Sequence, residues 1–266
     1  MNWHIIGDTV RGASHKRSDK PNQDAWAFSQ NDTCTVLAVA DGHGSSKHTH
    51  SEIGAQLAVQ VALTLLNDFA HADKGEDSRQ IKQAADYLPS QIVQAWRAAV
   101  DNADNGETEN PKDRYSLYGS TLIAALISTE YVLYLQIGDG DLLVLTDDGQ
   151  LQHPLPKNIG LIANETFSLC EAKAIYHFEL ALQFFNHKPT PALIFLATDG
   201  YANSFTDQAE FHQAVEDFQQ QIATHGADKI QHCLADWLDE TSEQGSGDDV
   251  TVTMMFPSVA QEQPAE

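Results

Sequence analysis

The chain has 266 residues, 42% of them hydrophobic, enough apolar surface for a core and too much for a globally disordered protein. Its 38 acidic residues face only 15 basic ones, a formal charge of −23, which argues against nucleic-acid and membrane-surface partners and favours cations. No apolar run spans a bilayer, no basic-then-apolar leader opens the chain, and Cys34, Cys170 and Cys233 lack paired or metal-type spacing, so a reducing, cytoplasmic setting is expected.

The first expected elements are strands at 3–6, 24–29 and 34–40, the last an unbroken apolar run. Helical periodicity follows over 51–69, where Ile53, Leu57, Val61 and Leu65 recur every four residues and mark an apolar stripe. After a polar break it resumes over 78–102. The stretch 101–114, DNADNGETENPKDR, reads as an exposed loop. Strands come next at 121–128, 131–138, 141–146 and 150–153. Their connections are too short for crossover helices, so this region reads as an antiparallel meander, with Asp147-Asp148-Gly149 as a hairpin turn. Further strands are expected at 172–177, 192–197 and 250–256, with helices at 207–224 and 227–240. Strands in runs and helices in two blocks indicate α+β layering. One domain over 1–257 with a disordered tail at 258–266 accounts for the whole.

Three carboxylates punctuate apolar strands. Asp41 follows TVLAVA, Asp199 follows ALIFLAT, and Asp248-Asp249 precedes VTVTMMF; Asp24 stands before a further strand. Any one of these reads as a turn residue. If they converge, their mutual repulsion calls for cations between them, and an all-oxygen ligand set suits Mg²⁺ or Mn²⁺. An EF-hand starting at Asp139 fails, because Val144 and Gln150 stand where Gly and Glu are needed. Zinc is disfavoured, since His43, His48 and His50 are poorly spaced and no Cys is close.

The ordered elements NQDA (22–25), ADGHG (40–44), GST (119–121), IGDGD (137–141), ATDGY (197–201) and DDVTV (248–252) span nearly the whole chain. In that order and spacing the sequence resembles the metal-dependent protein Ser/Thr phosphatases of type 2C, the PPM family. SHKRSDKPNQDAW (14–26) is similar to a bacterial branch of it. The resemblance implies an αββα sandwich of two antiparallel sheets flanked by helices. It implies two Mn²⁺ or Mg²⁺ ions, with a third at a weaker site. Asp41 would bridge the two ions, the Gly42 carbonyl would bind the second, and Asp199 and Asp248 would complete the first. Asp24 would hold metal-bound water, Asp139 would serve the third site, and His43 would be the general acid. The implied reaction is in-line attack of metal-activated water on a phosphoserine or phosphothreonine protein, in bacterial signalling opposite a cognate kinase. Gly119-Ser120-Thr121 reads as packing at the start of a strand.

Three departures stand out. Gln23 occupies the place of a metal-ligating Glu and brings a carbonyl without a charge. Asp19 occupies the place of a phosphate-gripping Arg, leaving Arg17 and His15 as phosphate-binding candidates, with Lys16 and Lys20 in the same loop. Asn203 stands where an Asp often supports the third metal. These departures keep two alternatives open: a phosphoprotein-binding pseudophosphatase without catalysis, and a small-molecule phosphomonoesterase on the same scaffold.

Overall fold

The computed structural model describes residues 3–72, 77–106, 108, 110–155, 166–186 and 190–258, and among them ten strands form two antiparallel sheets of five. In chain order these are β1 (Trp3–Val10), β2 (Ala25–Gln30), β3 (Cys34–Ala40), β4 (Leu122–Ser128), β5 (Tyr131–Ile137), β6 (Asp141–Leu145), β7 (Leu151–Gln152), β8 (Glu179–Phe184), β9 (Leu193–Ala197) and β10 (Val250–Pro257). The helices are α1 (Ala13–Ser18), α2 (Ser51–His71), α3 (Ser78–Ala85), α4 (Leu88–Asp104), α5 (Pro111–Leu117), α6 (Asp199–Ala202), α7 (Gln208–His225) and α8 (Ala227–Gln244). One sheet runs β1-β10-β9-β6-β7 and the other β2-β3-β4-β5-β8.

Three apolar clusters set the layers. Val36, Ala38 and Ala40 of β3 face α2 and α4, while Leu37 and Val39, one residue out of phase, face the other sheet. β9 does the same: Leu193, Phe195 and Ala197 pack under α7 and α8, and Ile194 and Leu196 enter the inter-sheet core. Both faces of these strands are therefore buried, which is why they read as unbroken apolar runs. The result is the expected α+β sandwich, helices–sheet–sheet–helices.

Several elements differ from expectation. The expected meander is antiparallel throughout, but it does not stay in one sheet. The chain leaves the second sheet after β5, turns through Gly138-Asp139-Gly140, and enters the first as β6. Gly138 has φ +116°, and a Cβ there would lie 2.6 Å from the Thr121 Cβ, so the corner needs glycine. The strand expected at 172–177 is a 3-10 turn (Ala174–His177), and the edge strand of the sheet is β8, where Leu180, Leu182 and Phe184 alternate with Ala181 and Gln183. The helix expected over 78–102 is two helices, broken before Leu88-Pro89 at the start of α4, where proline is tolerated. The expected loop 101–114 holds the end of α4 and the start of α5, tied together by Arg114 to Asp101 at 2.6 Å and to Asp104 at 3.1 Å. β1 runs on to Val10 because it pairs with β10 along its whole length. α1 was not foreseen.

The buried side of α2 also differs. Gly54, Ala55, Ala58 and Ala62 are buried, while the Ile53–Leu57–Val61–Leu65 stripe is only half-buried on its flank. Val59, Leu66 and Phe69 are buried with the small residues, and at Gly54 a Cβ would lie 1.8 Å from the Tyr118 carbonyl oxygen. α2 is the one described helix long and apolar enough to cross a membrane; here it packs on β3 and α4. Most of the tail, residues 259–266, lies outside the described residues.

Candidate metal centre

At one end of the sandwich, the loop after β3, the corner between β5 and β6, the end of β9 and the entry to β10 line a cleft of about 470 Å³ with α1. β3 and β9 belong to different sheets, so the cleft sits where the two sheets meet. Asp41, Gly42, His43, Asp139, Asp199, Asp248 and His15 all line it. Gln23 and Asp24 are buried outside the lining, and Arg17 is exposed outside it, beside Gly247.

The Asp41 loop is clamped by the GST segment. The Asp41 N–H donates to Thr121 Oγ1 (2.9 Å) and its carbonyl accepts from the Thr121 N–H (2.8 Å). Gly42 bridges to Ser120, and the His43 N–H donates to the Gly119 carbonyl (3.1 Å). The segment is buried, as packing requires, but it also fixes where Asp41 and His43 point. A Cβ on Gly119 would lie 2.5 Å from His48 Nδ1 and 2.8 Å from His43 Cδ2, so no larger residue fits beneath these rings.

Carboxylate oxygens of Asp41, Asp139 and Asp199 lie within 4.8 Å of one another. Burial pushes the Asp41 carboxyl well above the usual range, and the charges of Asp24, Asp199, Asp248 and Asp139 push it further. Burial, then Asp139 and Asp248, raise Asp199 to about 6 against a hydrogen bond from Asp41 and another from the Gly200 N–H. Asn203 Nδ2 also donates to Asp199 Oδ2 (3.0 Å), a neutral donor where a fourth charge would have added repulsion. Thr166 donates to Asp139. Burial lifts Asp24 to about 8 even though Thr198 and Thr251 hydroxyls, each 2.7 Å away, donate to its Oδ2. Those two threonines were not singled out from sequence; Thr251 is readable only as a polar residue on the inward face of β10.

This donor set fits hard divalent cations. Buried carboxylates that resist ionisation when crowded become favourable ligands once a cation offsets their charge. Gln23 adds a second indication. Its Nε2 donates to Ser51 Oγ (2.5 Å), while its buried Oε1 has no hydrogen-bond partner among the described residues. Of the histidines, His43 and His48 pack at 4.9 Å between ring centroids, and burial and then His48 hold His43 down at about 4. His50 lies against Tyr118 instead. These three form no metal cluster among the described residues.

The cations near the cleft are few. Lys16 pairs with Asp239, and Arg11 with Asp19. Lys20 Nζ donates to the carbonyl of Gly44, a cleft residue, at 2.9 Å.

Among solved structures, a bacterial serine phosphatase aligns at 16% identity with TM-score 0.65, covering 98% of this chain and 100% of its own. The serine/threonine phosphatase Stp1 from Staphylococcus aureus aligns at 15% identity with TM-score 0.64, covering 97% of this chain and 96% of its own. The catalytic domain of the serine threonine protein phosphatase PstP, in complex with two manganese ions, aligns at 18% identity with TM-score 0.56, covering 96% and 97%. No curated protein matches the chain. At these identities the structures establish the fold, and the model of the family described as protein phosphatase 2C matches residues 11–239, which include five of the six ordered motifs. The chain belongs to the protein phosphatase 2C family.

Proposed function

We propose that this protein is a Mn²⁺- or Mg²⁺-dependent phosphatase of phosphoserine and phosphothreonine proteins, acting in the cytoplasm opposite a cognate kinase. The observation that carries the reading is the convergence of Asp41, Asp139 and Asp199 from strand ends of both sheets into one cleft, with the ionised forms of Asp41 and Asp199 disfavoured until a cation arrives. The pairing of β1 with β10 supports a single unit over 1–257. Three free cysteines support a reducing compartment.

Asp41 and the Gly42 carbonyl would hold two ions between them, with Asp199 and Asp248 completing one side and Gln23 Oε1 serving the other. Asp139, steadied by Thr166, would hold the weaker third ion. Such ions, when bound, activate water and neutralise phosphoryl oxygens. Asp24 sits behind Asp41 and keeps its orientation through two hydroxyls. His43 lines the cleft and would protonate the departing Ser or Thr oxygen. It is mostly neutral at pH 7 in the free protein, so the anionic substrate must draw the proton onto it. Lys20, whose Nζ donates to the carbonyl of the cleft residue Gly44, would be the loop cation that attracts the phosphate.

The test is phosphate release from p-nitrophenyl phosphate, a phosphothreonine peptide and sugar phosphates after chelation, with and without Mn²⁺. Mn²⁺-dependent turnover preferring the peptide supports the proposal. Turnover that survives chelation overturns it. Peptide binding without turnover indicates the pseudophosphatase, and a preference for sugar phosphates the small-molecule enzyme.

Gln23 carries a separate expectation. Gln23→Glu should tighten Mn²⁺ binding by roughly tenfold, since a carboxylate adds a charge that the amide lacks. It should also lower the Tm of the metal-free protein, because a further charge is buried beside Asp41. Titration calorimetry and thermal melts check both, and a variant with unchanged affinity would remove Gln23 from the metal site.

A further inference from the structure

His15 and Asp249 lie beside the carboxylate cluster, and their arrangement is not that of a phosphate-binding pair. Asp249 is buried and fully engaged: Oδ1 accepts from the Gly12 N–H (2.7 Å), and Oδ2 from the Gln23 N–H (2.7 Å) and from His15 Nδ1 (2.8 Å). An ionised carboxylate only accepts, so His15 Nδ1 donates to Asp249, and in the neutral tautomer this leaves Nε2 as the ring's ligating atom. The His15 side chain is only 10% exposed, and Nε2 makes no hydrogen bond among the described residues. It faces the cleft, 3.8 Å from Asp248 Oδ1, whose side chain is 56% exposed.

One ligand atom each of His15, Asp248 and Asp249 lies within 4.8 Å of the others, and a cation between Nε2 and the Asp248 carboxylate would serve both. Two atoms bonded to one ion at about 2.1 Å are at most about 4.2 Å apart, and 3.8 Å lies within that limit. A bound phosphate would bring only more acceptor oxygens to the same place. A ligating histidine whose other nitrogen is held by a carboxylate is the usual way proteins fix an imidazole for a metal.

We propose that His15 Nε2 is a metal ligand, sharing with Asp248 the ion that Asp248 serves, with Asp249 holding the ring in place. The inference rests on the metal-dependent reading above and deepens it. The centre is then not all-oxygen, and one nitrogen shifts its preference away from Mg²⁺ towards Mn²⁺ and the later divalent metals.

Pulsed electron paramagnetic resonance of the Mn²⁺-loaded full chain tests this without reference to activity. The expected result is a ¹⁴N coupling from a directly bound imidazole, replaced by a ¹⁵N pattern when the histidines are ¹⁵N-labelled. His15→Gln should remove the coupling and weaken Mn²⁺ binding by about 10- to 100-fold, with a smaller loss for Mg²⁺, whereas His43→Gln should keep the coupling. Mn²⁺ bound in the wild-type protein without nitrogen coupling overturns the inference and leaves the metal-dependent reading standing. A coupling that survives His15→Gln also overturns it. Failure to bind Mn²⁺ at all overturns both. The wild-type and isotope measurements decide the matter even if His15→Gln folds poorly.

Discussion

Asp41→Asn is expected to abolish Mn²⁺-dependent phosphate release, by at least about 10³-fold, while raising the Tm of the metal-free protein. Removing the ligand between two ions loses both water activation and charge neutralisation, each worth several kcal/mol at the transition state. The gain in stability has a separate origin. Burial and four neighbouring carboxylates make ionisation of Asp41 unfavourable in the folded state, whereas the unfolded chain ionises it freely at pH 7. Asn removes that difference, so the metal-free variant should melt higher. Its amide can still donate to Asp199 as a protonated Asp41 does. For a domain of this size each kcal/mol corresponds to about 2–4 °C. Thermal melts in chelator and the phosphatase assay read the two effects independently. A variant that keeps its activity, or melts lower than the parent without metal, would contradict the assigned place of Asp41.

The second large effect is on pH dependence. The metal-free protein is expected to lose stability as pH rises from about 6.5 to about 8. Asp24 has a folded-state value of about 8 against an ordinary 3.8, and Asp41 is likewise raised. The folded state therefore binds more protons than the unfolded one, and stability falls with pH by up to about 1.4 kcal/mol per unit for each such group. Asp199, at about 6, makes its contribution at lower pH. His43 works in the opposite direction, since its folded value of about 4 lies below its ordinary 6.5. Its contribution grows between those values and is complete above 6.5, so only the carboxylates remain active in the upper window. Saturating Mn²⁺ should reverse the trend, because ligands that shed protons on binding bind more tightly as pH rises. Urea denaturation at several pH values, in chelator and in Mn²⁺, measures both slopes. A metal-free protein equally stable at pH 6.5 and 8 would contradict the crowding of these carboxylates.

How much was readable in advance depended on whether a residue's partner was nearby in sequence. β3 and β9 were legible because burial on both faces demands apolar residues at every position, whatever lies opposite. The stripe on α2 misled because periodicity marks apolar residues, while burial is set by what the helix meets, and at Gly54 a backbone carbonyl leaves no room for a side chain. β8 was misplaced by a few residues, since AIYH has strand-like composition but forms the turn before the edge strand. Gly138-Asp139-Gly140 stood among the short connections of an expected meander, and only the fold shows it as the corner where the chain changes sheets.

Asp248 and Asp249 separate the two kinds of information most clearly. As text they are equivalent neighbours, and the apolar run after them was sufficient to place both at a strand end. In the fold, Asp248 stays open to the cleft, while Asp249 turns inward to donors from Gly12, His15 and Gln23, more than 220 residues away in sequence. Sequence alone determined the layers, the strand ends and the residue types able to hold a cation, because these follow from local pattern and composition. The tertiary structure alone decided which carboxylate is held by buried donors, which histidine it holds and which cation of the loop bonds to a cleft residue. Those choices depend on hydrogen-bond donors brought in by distant segments, and no local pattern encodes them.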